Sequence, residues 1–154
     1  MPPETIVINE WLLHDMRGDN GPDAQKQTQA FLEAFRSGPN RIVVLRESKW
    51  DNKAWALWTE QDARVQVLSK LLYLGVLIDP LKCSHLNPDQ VQLLPPGLAE
   101  QVPPDDAYLF QTALAAGART IVTTDGRLIA AVPAATQYEI RLITRDDYYQ
   151  ELGL

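Results

Sequence analysis

The sequence predicts an α/β fold in which helices cover both faces of a mostly parallel β-sheet, a three-layer α/β/α arrangement. The first observation is a set of short runs of β-branched and aliphatic residues, at positions 5–8, 42–45, 120–123 and 140–143. Continuous apolar runs of this length are typical of strands buried on both faces of a parallel sheet. The second observation is that helix-patterned stretches separate these runs. Such alternation favours parallel strands joined by helical crossovers.

Helical patterns fill most of the chain between the predicted strands. In the stretch 24–36, for example, Phe31 and Phe35 fall on one face. A glycine directly after a periodic stretch is a common helix terminator, and Gly117 has this position. The predicted helices cover residues 10–16, 24–36, 48–58, 61–73, 106–116, 127–131 and 145–152.

The stretch 75–104 has the weakest pattern in the chain. Six prolines interrupt it. Because proline lacks a backbone N–H, it cannot continue a helix or an inner strand, and only short elements are expected here. The apolar residues 91–94 are the candidate strand within this stretch.

Length and composition indicate an ordinary globular protein. We expect a single domain over residues 1–154, which is long enough to bury a sizeable core. With 45% hydrophobic and 22% charged residues, the composition excludes a disordered chain. We expect no signal peptide and no membrane span, because the N-terminus lacks a basic start and no apolar run is long enough. Cys83 is the single cysteine, so an internal disulfide is excluded and a cytoplasmic setting is predicted.

The net charge limits how the protein could bind nucleic acid. The formal charge is −6 and the sequence pI about 4.8, whereas a protein that neutralises phosphates by itself should be basic. Nucleic-acid chemistry would therefore need a local basic patch or bound cations. The best basic cluster is Arg46, Lys49 and Lys53, which next to Trp50 could hold an RNA backbone and stack a base. A solvated helix face is the more common explanation of such a cluster and is the one we favour.

Oxygen-bearing side chains stand at the ends of the predicted strands. Taken singly, each has an ordinary structural explanation as a helix cap, a turn residue or a solvated charge. Functional groups in open α/β sheets nevertheless gather where strands end, and converging carboxylates are ligands that Mg²⁺ or Mn²⁺ prefers. The candidates are Asn9 and Glu10 after the first strand, Glu47 and Asp51 after the second, Asp105 and Asp106 at a helix start, and Asp125 after the third.

The order of these motifs resembles the PIN domain family. The stretch 104–128 is similar to the C-terminal half of that family, with an acidic helix start, small residues, Gly-Ala, an apolar strand and Thr-x-Asp followed by Leu. Residues 141–149 resemble its closing strand and helix, and residues 6–13 its opening strand and turn. The resemblance is weakest from 74 to 103. It implies a PIN-like three-layer fold.

The resemblance also implies a metal pocket. Asp106 and Asp125 match the later acids of the family motif, and Asp105 would replace Asp106 if the register differed by one residue. A further acid should follow the second strand. Asp51 fits its helical placement best, and Glu47 is the rival.

The first acid of the family motif is absent from this chain. Asn9 stands where the family has Asp at the end of the first strand, and Glu10 is a candidate replacement. An asparagine offers a carbonyl oxygen but no charge, and ligand charge strongly affects cation affinity. We therefore expect Mg²⁺ or Mn²⁺ to bind weakly or to be lost.

Two functions follow from the resemblance. The first is a metal-dependent endoribonuclease acting on RNA, with a toxin-like role, an antitoxin-like protein partner and a homodimeric assembly. The second is a catalytically degenerate PIN-like domain that binds RNA or a protein without cleaving. Asn9 and the acidic net charge favour the second.

Other motifs predict less. His14 and His85 lack neighbouring ligands at zinc-site spacing, and Cys83-Ser84-His85 lacks the strand–turn–helix context of a nucleophile. No glycine-rich loop follows the first strand, which argues against dinucleotide binding. The four tryptophans are predicted to lie mostly in the core or in an oligomer interface.

Overall fold

A parallel sheet forms the centre of the protein. The computed structural model describes residues 3–154, except for the side chain of Val132. Within this part of the chain the sheet has five strands in the order β3-β2-β1-β4-β5, and all pairs are parallel. The predicted α/β fold with a parallel sheet is confirmed. The strands are β1 Thr5–Ile8, β2 Arg41–Leu45, β3 Cys83–Leu86, β4 Thr120–Thr123 and β5 Arg141–Thr144.

Helices connect the strands. The last turn of α4 continues into a π-helical segment over Tyr73–Leu77, a widened form that is rare and often found near functional sites. Among the helices of residues 3–154, none has the length and apolar character needed to cross a lipid bilayer. The α-helices are α1 Trp11–Arg17, α2 Pro22–Ser37, α3 Lys49–Trp58, α4 Ala63–Leu72, α5 Pro96–Ala99, α6 Ala107–Ala116, α7 Gly126–Ile129, α8 Val132–Thr136 and α9 Arg145–Glu151.

Two apolar cores pack against opposite faces of the sheet. Ile6 and Ile8 of β1 belong to the core that includes α1–α4 and α9, whereas Val7 belongs to the core that includes α5–α8. Successive side chains of a strand point to opposite faces, so an inner strand must be apolar on both sides. This requirement explains why β1, β2 and β4 can be recognised in the sequence as continuous apolar runs.

The strand order creates a crevice in the middle of the sheet. The chain passes from β1 to β2 and β3 on one side, and then crosses to β4 on the other side of β1. Where the order reverses in this way, the connecting segments leave toward opposite faces, and a ligand site typically lies between the carboxyl ends of the two strands. Asn9 and Asp125 lie just beyond these ends of β1 and β4.

The predicted strand at residues 91–94 is wrong, because this segment has no regular secondary structure. The strand of this region is instead β3, Cys83–Leu86, which the sequence pattern did not reveal. β3 lies at the edge of the sheet, and three of its four side chains are only half-buried. An edge strand therefore lacks the continuous apolar run by which inner strands are recognised.

A buried ion pair ties α1 to α9. The carboxylate of Asp15 is 1% exposed, and its Oδ2 lies 2.9 Å from Nη1 of Arg145. Its other oxygen accepts a hydrogen bond of 2.6 Å from the side chain of Asn20. Arg145 also pairs with the exposed Asp146 and lies over the ring of Trp11. Asp15 thus keeps the segment after β1 in place behind the crevice.

Replacing Asp15 by Asn should lower the free energy of unfolding by about 3 kcal/mol, because it leaves the partly buried Arg145 without its buried partner. Urea denaturation measures the change. Asp146→Asn is the matched control, since Asp146 contacts the same arginine from an exposed position and should cost less than about 0.5 kcal/mol. Equal effects of the two substitutions would contradict a structural role for the buried pair.

Candidate active site

Three carboxylates and one amide meet at the crevice between β1 and β4. We call this site the carboxylate cleft, and it consists of Asn9, Glu10, Asp106 and Asp125. Asp106 is close enough to Glu10 and Asp125 for both to act on its charge. Of the sequence-predicted candidates, the structure thus brings together the residues that follow β1 and β4 and the one that precedes α6.

Asn9 is held firmly at the end of β1. Its backbone N–H donates to the carbonyl of Val122 at 2.9 Å, and its side-chain amide donates to Oγ1 of Thr123 at 3.0 Å. Its Oδ1 accepts the N–H of Glu10 at 2.7 Å. The side chain is buried, and the carbonyl oxygen keeps one lone pair for another partner. Asn9 is therefore a preformed neutral oxygen donor.

Glu10 is engaged by two neighbours. Oε1 lies 2.6 Å from Nζ of Lys53, and Oε2 accepts a hydrogen bond of 2.9 Å from the hydroxyl of Tyr108. Burial alone would raise the pKa of Glu10, but these hydrogen bonds and the charges of Lys53 and Lys49 outweigh it and hold the pKa below its ordinary value. Glu10 is ionised at neutral pH, and both of its oxygens already have partners.

Asp106 has an oxygen without a partner. It is 7% exposed, and within the described chain its Oδ2 makes no hydrogen bond. The nearest cation is Nη2 of Arg127, at 3.9 Å from that oxygen. Burial raises the pKa of Asp106, and the charges of Asp125 and Glu10 raise it further, while Lys49 and Arg127 oppose the shift. The fold thus contains a buried carboxylate with one oxygen that lacks a hydrogen-bond partner.

Asp125 caps α7 and pairs with the second residue of that helix. Its Oδ1 accepts the backbone N–H of Arg127 at 2.8 Å, and its Oδ2 lies 3.1 Å from Nη2 of the same residue. The hydrogen bond from the Arg127 guanidinium lowers the pKa of Asp125. Its backbone N–H donates to Oγ1 of Thr123, the same oxygen that accepts from Asn9.

Three cations accompany the three acids. Lys53 contacts Glu10, and Arg127 contacts Asp125 and approaches Asp106. Nζ of Lys49 lies 5.7 Å from the centre of the Tyr108 ring and acts on the charge of both Glu10 and Asp106. Two members of the predicted basic cluster therefore belong to the cleft, and its charge is locally balanced although the whole chain is acidic.

The predicted acids after β2 do not join the cleft. One oxygen of Asp51 accepts the N–H of Glu47 at 2.9 Å, and the side chain lines a different cavity at the β3 edge. Glu47 is exposed and has a positive φ of 65°. Arg46 lines the same edge cavity as Asp51. The structure thus separates Asp51 and Arg46 from Asp106.

The two neighbouring acids before α6 differ in burial. Asp105 is exposed, whereas Asp106 is buried and faces the cleft. Both lie in the 3₁₀ turn Pro104–Asp106 that precedes α6. Asp106 is the residue that the motif alignment favours.

A divalent cation at the cleft would have to take few of its ligands from the protein. Within residues 3–154, no three His, Cys, Asp or Glu side chains are grouped closely enough to hold a metal ion by themselves. Mg²⁺, however, is commonly held by one or two carboxylates together with waters and substrate phosphate oxygens. Asp106, with its unpartnered oxygen, and the nearby Asp125 are the carboxylates that such a cation would use.

Sequence reasoning missed Tyr108, Thr123 and Arg127 as members of the site. Tyr108 positions Glu10, and Thr123 joins Asn9 to the backbone of Asp125. The sequence feature that could have identified them is their closeness to the acids, because each lies within two residues of Asp106 or Asp125. Type alone does not distinguish them from ordinary helix and strand residues.

Comparison with known proteins adds no relative. No protein-family model, curated protein or solved structure matches this chain. The likeness to the PIN domain family is therefore an interpretation of the motifs and of their placement in the fold.

Replacing Asp106 by Asn should raise the free energy of unfolding at neutral pH by about 1 kcal/mol, since a buried ionised carboxylate is removed. An acid whose pKa is raised by folding holds its proton more tightly in the folded state, so stability falls as the pH rises through that pKa. The gain should thus disappear well below about pH 4, where the unfolded carboxylate is also protonated.

Urea denaturation across this pH range measures the difference. Asp105→Asn, at an exposed position one residue away, is the control and should leave stability unchanged. A loss of stability in Asp106→Asn at neutral pH would mean that the ionised carboxylate is favourably paired.

Proposed function

We propose that this chain is a PIN-like endoribonuclease that uses Mg²⁺ or Mn²⁺ at the carboxylate cleft to hydrolyse phosphodiester bonds in RNA. The observation that carries the proposal is Oδ2 of Asp106, a buried oxygen without a hydrogen-bond partner in the described residues. An unpaired buried polar atom costs folding free energy, and a bound ligand is one reason why a protein retains it.

Three oxygen-bearing residues would hold the cation: Asp106, Asp125 and Asn9. Their oxygens are the hard ligands that suit Mg²⁺ and Mn²⁺. Such a cation polarises a phosphoryl oxygen and increases the acidity of water. Because Asn9 is neutral, we expect weaker cation binding than three carboxylates would give.

Two cations at the cleft suit the phosphate backbone. Lys49 and Arg127 are exposed and lie beside Asp106 in the charge network. A phosphate that approaches Asp106 would meet these side chains, which can neutralise it and hold it in place. Lys53 has a different role, since it contacts Glu10 and occupies one oxygen of that carboxylate. RNA as the polymer, an antitoxin-like partner and a homodimer rest on the family resemblance alone.

Purified protein should cleave an end-labelled, mixed-sequence RNA in the presence of Mn²⁺ and not in EDTA. Asp106→Asn should reduce the cleavage rate by about a hundredfold, because the free ligand oxygen loses its charge. Gel analysis of the labelled fragments measures the rate.

Asp105→Asn serves as the matched control and should retain the wild-type rate, since Asp105 is exposed. Asn9→Asp should lower the Mn²⁺ concentration that gives half-maximal cleavage, because it adds a charged ligand. Cleavage that survives in EDTA or in Asp106→Asn would contradict the assignment of the cleft.

A specific observation favours a second candidate, an RNA-binding domain without cleavage. Lys53, Arg127 and Lys49 already balance the three acids, so the cleft carries little excess negative charge to attract a divalent cation. The same cations could hold phosphates without any chemistry.

Under this second candidate, Lys49→Gln should weaken RNA binding measured in EDTA and reduce the slope of log affinity against log salt by about 0.7, the value of one phosphate contact in a single strand. Filter binding at several salt concentrations gives the slope. Lys26→Gln, on the exposed face of α2, is the control. An unchanged slope in Lys49→Gln would show that this lysine does not contact phosphate.

A further inference from the structure

A second polar cavity lies at the β3 edge of the sheet. We call it the edge cleft. It has a volume of about 520 Å³, and its lining includes Val44, Arg46, Asp51, Tyr73, Cys83 and His85. A cavity of this size is in the range that accommodates a small organic group. Its lining combines an apolar floor with charged and aromatic side chains, which is typical of a site for a planar polar ligand.

Helix α3 separates the edge cleft from the carboxylate cleft. Lys49 and Lys53 lie one turn apart on the face that meets Glu10. Asp51, Trp55 and Trp58 follow the same helical spacing on the other side of the buried stripe. An α-helix with its side chains is about 10 Å across, a distance that a few nucleotides of a single strand can span.

Two exposed tryptophans contact Tyr73, which lines the edge cleft. Trp55 is 62% exposed and Trp58 is 40% exposed. Both rings contact Tyr73 edge-on, with centroid distances of 5.9 and 5.0 Å. Of the two predicted locations for the tryptophans, the core holds Trp11 and Trp50 but not these two, and an oligomer interface stays a prediction for them. Trp50 is 4% exposed and therefore does not offer the stacking surface that its position next to the basic cluster had suggested.

The polar groups of the edge cleft can both donate and accept hydrogen bonds. Arg46 is exposed and presents a guanidinium, and Asp51 keeps one oxygen free of its bond to Glu47. Nε2 of His85 lies 3.1 Å from the carbonyl of Leu77 in the π-helical segment. Since that carbonyl only accepts, Nε2 carries the proton, and burial lowers the pKa of His85 so that the ring stays neutral.

Thiol chemistry does not explain this cavity. Cys83 is buried, and burial raises the pKa of its thiol to about 12. A thiol with such a pKa is protonated at neutral pH and is a poor nucleophile.

We propose that the edge cleft binds a nucleobase of single-stranded RNA, stacked on the aromatic cluster of Trp55, Trp58 and Tyr73 and hydrogen-bonded by Arg46 and Asp51. The inference rests on RNA as the substrate of the proposed function. Base stacking on exposed aromatic rings contributes strongly to single-strand binding and suits any base. Guanine is the best first probe, because its acceptor edge matches Arg46 and its amino donor matches Asp51.

Tryptophan fluorescence tests the proposal without any cleavage step. Guanosine 5′-monophosphate, added in EDTA, should quench the emission saturably, because Trp55 and Trp58 are exposed while Trp11 and Trp50 are buried. Ribose 5-phosphate, which lacks the base, should not quench. Calorimetry should give an affinity for the nucleotide that falls about tenfold in Trp55→Ala and in Arg46→Ala.

Two control variants test whether a loss of binding is specific to the edge cleft. Arg64→Ala removes another exposed arginine, and Lys26→Gln removes an exposed lysine of α2 that lies outside both clefts; both should bind the nucleotide like the wild type. If the nucleotide binds normally but no metal-dependent cleavage occurs, the proposed nuclease function is contradicted and the nucleobase site is not. Absent binding by the wild type, or equal quenching by ribose 5-phosphate, would overturn the nucleobase site. So would a Trp55→Ala protein that binds normally but self-associates less, since the surface would then be an interface between copies.

Discussion

The pairing of β1 with β4 is the contact on which the site depends. Ile6, Val7 and Ile8 pair with Thr120, Ile121 and Val122, and this register places Asn9 beside Thr123. A slip of one residue would exchange the two faces of the strand and expose its apolar side chains to the wrong core. The side chain of Trp11 reinforces the register, because its Nε1 donates to the carbonyl of Val122. The geometry of the cleft thus follows from packing on both faces of the sheet.

Charge is distributed unevenly between the cleft and the rest of the molecule. The chain carries a net charge of −6, yet the acids at the cleft are matched by lysine and arginine side chains. Asp106 is the exception, because burial and the charges of neighbouring acids raise its pKa despite the nearby Lys49 and Arg127. Proteins commonly concentrate such unfavourable groups at functional sites and compensate with stability elsewhere.

The inner strands and most helices could be predicted from the sequence, because they depend on the local apolar pattern. The acids at the ends of β1 and β4 could be predicted because the carboxyl ends of parallel strands converge. Sequence reasoning did not reach β3, whose edge position requires little apolar character. It also could not place Asp51, since one helical step of about 100° decides whether a residue of α3 faces the carboxylate cleft or the sheet edge. Tertiary packing around Trp50 and Leu57 sets that rotation.

Helix α3 contributes side chains to two different surfaces, the carboxylate cleft and the edge cleft. Lys53 contacts Glu10 on one side of the helix. On the other side, Asp51 lies close enough to Tyr73 for its charge to add to the effect of burial, which raises the pKa of Tyr73. A rigid-body shift of α3 toward one surface moves it away from the other. The geometry of each surface therefore depends on the placement of the same helix.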